Sequence, residues 1–173
     1  YFLDVARRTG RVTAGDLDAL CQPHRAQPPL YFECTHGMGH GLMAVNSHHL
    51  LKALDTCDLL TDVFERQSCW GGAFMENVVN VTHPHHSAGG HEQTQSDGHA
   101  GHDGHGDAHG GGGHAMRHGE WKALDPDDPL YPCNAVAEKY QSQCYTLQSS
   151  AILYFNGGDV AATGRACEQA PAA

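Results

Sequence analysis

The chain has 173 residues, a formal net charge of −10 with histidines neutral, and fifteen histidines against ten lysines and arginines. That length suits one domain carrying an insertion, and the negative balance argues against nucleic acid as a partner. No apolar run approaches the roughly eighteen residues a helix needs to span a bilayer.

The chain opens in mid-pattern at Tyr1-Phe-Leu-Asp-Val without an initiator Met, so it reads as a mature chain or an excised fragment. Residues 1–13 resemble the end of a helix, with Arg7, Arg8 and Arg11 on its exposed face. A short helix follows over Ala14–Cys21, with Asp16 placed to assist its cap. The prolines of Gln22–Pro29 predict a loop. Leu30-Tyr-Phe leads into a second helix that runs from Cys34 to about Val45.

That helix carries Cys34-Thr-His36-Gly-Met38-Gly-His40-Gly-Leu-Met43. His36 and His40 are one turn apart on the same face, a spacing at which two imidazoles can chelate one metal ion. Met38 or Met43 would add a thioether if the metal is copper(I). Gly37 and Gly41 form a neighbouring stripe. Each glycine costs a helix about 1 kcal/mol relative to alanine, so the stretch predicts close backbone approach to another helix or to a bound group. Tight helix packing without a ligand, and a glycine-rich loop, are the plainer alternatives.

His48 and His49 fall at the turn into the next helix, which ends at Cys57. Leu50, Leu51 and Leu54 have helical core spacing, and Asp55, Asp58 and Asp62 read as solvated corner residues. After Cys69 come Trp70-Gly-Gly-Ala-Phe-Met-Glu76, small and apolar except for the acid. Counting from Cys34, His36 is two residues on and His40 six; counting from Cys69, Glu76 is seven on. Side by side, such helices would bring Glu76 toward the histidines as metal ligand or supporting base; the alternative is an exposed helix residue. Asn80-Val-Thr82 matches a glycosylation sequon.

From His83 to His118 the chain holds ten histidines among glycines and a few acids, with no apolar periodicity. Such a segment cannot bury enough surface to fold alone and is expected to be disordered. His83, His85, His86, His99, His102, His105 and His109 are its candidate ligands, suited to zinc, copper or nickel. The stretch resembles the His-rich loops of periplasmic zinc-binding proteins and zinc transporters, a resemblance that implies metal collection by the insert alone.

Order is expected again from Glu120, with a turn at Asp125-Pro-Asp-Asp-Pro129 and Asp127 or Asp128 as the cap of the weak helical segment that follows before Cys133. Tyr140, Tyr145 and Tyr154 read as core or groove aromatics, with Tyr145 and Gln148 as further site candidates, and Asn156-Gly-Gly as a helix stop. Asp159–Cys167 opens a fourth unit.

Cys21 and Cys34, Cys57 and Cys69, and Cys133 and Cys144 are 13, 12 and 11 positions apart. The leading cysteines recur at 21, 57, 133 and 167, and removing the 37-residue insert reduces the middle step from 76 to 39, beside steps of 36 and 34. A period of this size signals stacked supersecondary units. The unit is helix, Cys, loop, Cys, helix, and a disulfide across each bend would stabilise by about 3 kcal/mol in the chain-entropy model. In period and alternating helices this resembles the tetratricopeptide and Sel1-like repeats, whose consensus residues are absent, so no function follows.

The sequence thus predicts an all-α protein of disulfide-stapled helical-hairpin repeats, α-solenoid-like, with two repeats over 1–82, a disordered His/Gly-rich insertion over 83–119, and a third repeat plus the start of a truncated fourth over 120–173. Its cysteines imply an oxidising, extracytoplasmic setting, whether periplasm, cell surface or outside. Its histidines predict a transition-metal-binding protein, with zinc or copper as the ion. Two other readings stand beside it: a repeat scaffold for a protein or peptide partner, and a metal-dependent enzyme using His36, His40 and Glu76. Position 37 is glycine, so the helical metalloprotease motif is absent.

Overall fold

A computed structural model describes residues 12–83 and 121–171. Among them are six α-helices and no strand: α1 (Ala14–Cys21), α2 (Pro28–Val45), α3 (Leu50–Cys57), α4 (Val63–Thr82), α5 (Glu138–Phe155) and α6 (Val160–Cys167). The expected helix with Arg7, Arg8 and Arg11 lies outside the described residues, as does the insertion beyond His83. No helix among the described residues is long and apolar enough to cross a membrane.

The helix starts follow from local chemistry. Thr13 and Asp16 cap α1 reciprocally: the Thr13 hydroxyl accepts from the Asp16 amide, and the Asp16 carboxylate accepts from the Thr13 amide. Asp62 accepts from the Phe64 and Glu65 amides at the start of α4, so it is a helix cap rather than a free corner residue. The loop expected over Gln22–Pro29 is shorter than its prolines suggest. Gln22–His24 form a 3-10 turn, and Pro28 and Pro29 begin α2. A first-turn residue needs no amide partner, so proline fits there. Asn156-Gly157-Gly158 ends α5 as expected, both glycines at positive φ and the Gly158 amide reaching back to the Leu153 carbonyl at 2.9 Å.

The three disulfides are those the spacing predicts. Cys21–Cys34, Cys57–Cys69 and Cys133–Cys144 have Cα separations of 5.7, 5.8 and 5.4 Å. The second cysteine of each pair lies six residues into a long helix, not at its start. Cys21 and Cys57 end the short helices α1 and α3. Cys133 differs: the helical segment expected before it is a series of turns, because Pro129 and Pro132 remove backbone donors from any helix there. Cys167 ends α6 with a free, exposed thiol.

The core lies where α2 crosses α4, filled by Met38, Leu42, Met43, Leu54, Trp70 and Phe74. Gly39 and Gly72 allow the two backbones to meet. A Cβ on Gly39 would run into the Cys69 carbonyl and lie 2.6 Å from the Ala73 amide; one on Gly72 would run into the His36 carbonyl. Close helix approach is therefore the role of the middle glycine. Gly37, on the stripe singled out in the sequence, faces open space.

The post-insertion segment is tied to this frame by polar side chains. Gln148, buried, donates to the Pro129 and Tyr131 carbonyls at 3.0 and 2.7 Å, and Asn77 of α4 donates to the Ala123 carbonyl at 2.8 Å. Asp128 accepts from the Leu130 amide and the Asn134 side chain, holding the turn rather than capping a helix. Asp58, expected to be solvated, receives both the Lys139 ammonium and the Tyr140 hydroxyl at 2.5 Å, joining the end of α3 to α5. Tyr140 is core, whereas Tyr154 is half exposed.

Candidate metal site

The crossing at Gly39 and Gly72 decides what faces the histidines. His36 and His40 lie one turn apart on α2, their ring centres 5.2 Å apart at an interplanar angle of 63°. The next turn of α4 beyond Gly72 sets Met75 and Glu76 against them. His40 Nδ1 is 2.8 Å from Glu76 Oε2, and His36 Nε2 is 3.5 Å from Met75 Sδ. His40 and Glu76 are both partly exposed.

The carboxylate settles the His40 tautomer. An ionised Glu76 can only accept, so Nδ1 is the donor and Nε2 keeps its lone pair when the ring is neutral. His36 is oriented from its other nitrogen. Nδ1 faces α4 beside Gly71, where an added Cβ would stand 3.4 Å away. Burial, then the neighbouring His40, hold the His36 pKa below its ordinary 6.5, with Glu33 and the Ser68 contact opposing. The shift favours the neutral ring, the state a metal ligand requires.

No group of three or more His, Cys, Asp or Glu side chains among the described residues is arranged to hold a metal ion. The ordered cluster comprises two imidazoles, a thioether, and a carboxylate already engaged with one imidazole. Met43 is fully buried in the core, as Met38 is nearly, so each is accounted for by packing. His83 caps the end of α4, its Nδ1 2.9 Å from the Thr82 hydroxyl. His85, His86, His99, His102, His105 and His109 lie outside the described residues. Gln148 is engaged with the segment after the insertion, and Tyr145 packs against the core.

Met75 was not singled out in the sequence. The signal was there: it stands six residues after Cys69, as His40 stands six after Cys34.

His36 also forms one wall of a groove of about 280 Å³ between α2, α4 and α5, lined with Phe32, Phe64, Gly71 and Leu147. The Phe32 ring is 5.4 Å from the imidazole, and Phe32 and Phe64 are 41% and 44% exposed. The cluster thus has an accessible, largely apolar approach on its His36 side.

No protein-family model, curated protein or solved structure matches this chain.

Proposed function

We propose that the chain is an extracytoplasmic transition-metal-binding protein built from stacked, disulfide-stapled helical hairpins. His36 and His40 hold the ordered metal, Glu76 supports His40, and His83, His85, His86, His99, His102, His105 and His109 of the insertion collect metal for it. The observation carrying this reading is the 2.8 Å contact between His40 Nδ1 and Glu76 Oε2. Histidines that ligate metals commonly donate their other ring N–H to a carboxylate, which orients the ring and raises its basicity. His36, one turn away on the same face, supplies a second nitrogen.

Three disulfides support an oxidising compartment. The three long helices, each meeting its cysteine after six residues, support the repeat. Equilibrium dialysis of the full chain against zinc tests the function. Wild type retains one more tightly held ion than the His36→Ala/His40→Ala variant; equal retention contradicts the ordered site.

A second reading takes the groove at Phe32 and Phe64 as a seat for an apolar peptide segment, the histidines being incidental. Its support is the exposure of the two rings. Under it, Phe32→Ser and Phe64→Ser abolish partner capture and leave metal retention unchanged.

A further inference from the structure

The donors at the helix crossing name the metal that the proposed function leaves open, and the following rests on that function. We propose that His36 Nε2, His40 Nε2 and Met75 Sδ form a copper(I) site, with Glu76 as the positioning residue of His40.

Two distances fit a shared ion. A metal about 2.0 Å from an imidazole nitrogen and about 2.3 Å from sulfur, at a near-tetrahedral angle, sets those donors roughly 3.5 Å apart. His36 Nε2 and Met75 Sδ are 3.5 Å apart. Two imidazoles on one such ion have ring centres roughly 5 Å apart; those of His36 and His40 are 5.2 Å apart. Glu76 holds the His40 ring from its Nδ1 side, which leaves Nε2 as the donor, and the His36 ring lies with Nδ1 beside Gly71 of α4 and Nε2 toward Met75 Sδ.

The donor set selects the ion. A neutral thioether is a soft ligand that suits copper(I), whereas zinc sites draw on thiolate, imidazole and carboxylate. Two imidazoles and a thioether are all neutral donors, and the one carboxylate beside them, Glu76, is engaged with His40 rather than placed as a donor to the ion. Met75 is 40% exposed on a helix whose other long apolar side chains at the crossing, Trp70 and Phe74, are buried. An exposed thioether placed against a ligand-type nitrogen gains little from packing, and coordination gives it a purpose. No redox step is involved; the ion is bound as supplied.

The test is an anaerobic titration of the full chain with copper(I), kept reduced by ascorbate, against a chromophoric copper(I) chelator. X-ray absorption at the copper edge and a parallel zinc titration accompany it. The expected result is one copper(I) held with a sulfur neighbour at about 2.3 Å. Met75→Leu removes that sulfur and weakens copper(I) by at least about tenfold while leaving zinc unchanged. Met116→Leu, in the insertion, changes neither. Glu76→Ala weakens copper(I) about 10- to 100-fold and frees the His40 tautomer in nitrogen NMR of the apo protein, an effect a purely structural carboxylate would not produce. If Met75→Leu has no effect while His36→Ala/His40→Ala loses both metals, the copper(I) assignment is overturned and the general metal site stands. If neither variant changes any titration, both fall.

Discussion

Gly72 stands against Gly39 across the α2–α4 crossing: a Cβ added at Gly72 would lie 3.2 Å from the Gly39 Cα and run into the His36 carbonyl. The contact sets the distance between the helix that carries the imidazoles and the helix that carries Met75 and Glu76.

Gly72→Ala must therefore separate the two backbones. It is expected to destabilise by about 1–3 kcal/mol or more through overpacking and to weaken metal binding at the same time. Gly37→Ala is the matched control. Nothing lies within 4 Å of its added Cβ, and alanine gains about 1 kcal/mol of helix propensity. Urea midpoints of the two variants, moving in opposite directions, check the assignment.

Asp58 joins α3 to α5 through Lys139 and Tyr140. Tyr140→Phe is expected to lose about 1.5–3 kcal/mol, the contribution of a hydrogen bond to a charged acceptor. Burial first, then the Asp58 carboxylate, push the Tyr140 hydroxyl from 10.0 up to about 12. A folded pKa above the unfolded one gives stabilisation that is complete below pH 10 and is lost as pH rises through about 12. The difference in ultraviolet phenolate absorbance between wild type and Tyr140→Phe should show this late ionisation.

The disulfides make a chemical prediction. Native protein should react with one maleimide per chain, at Cys167, and Cys167→Ser should react with none. Replacing Cys57 and Cys69 together by alanine should cost about 3 kcal/mol. More than one reactive thiol in the native chain would contradict the pairing and the oxidising compartment argued from it.

Much of this arrangement was legible in the sequence, for identifiable reasons. Cysteines 11 to 13 apart around a bend can pair with one another locally, so their spacing carried the three bridges. His36 and His40 share a face by helix geometry alone. The glycine that matters was not legible. Gly37 and Gly41 share one stripe and Gly39 lies on another, and only the line of approach of α4 selects Gly39. The role of Asp58 depends on α5, more than eighty residues later, and no local rule reaches it. Met75 is on another helix from the histidines, so spacing alone does not join it to them, whereas Met38 and Met43 share their helix and turn into the core. The segment before Cys133 was read as helical from the repeat, and its two prolines prevailed.

Gln148 closes the frame behind the insertion. Gln148→Leu keeps the bulk but leaves the Pro129 and Tyr131 carbonyls without their donor. The expected loss is about 1–3 kcal/mol, with faster amide exchange confined to residues 121–137.

The central claim is that His36 and His40 bind metal within the folded frame, as distinct from binding by the insertion. The most direct measurement is thermal unfolding of the full chain with and without saturating zinc or copper, in wild type and in His36→Ala/His40→Ala. An ion held by the folded state alone raises the melting temperature, its stabilisation growing with the logarithm of its excess over Kd, about 2.7 kcal/mol at a hundredfold excess. The account predicts a clear rise in wild type and none in the double variant. Equal rises in both, or none in either, would contradict it.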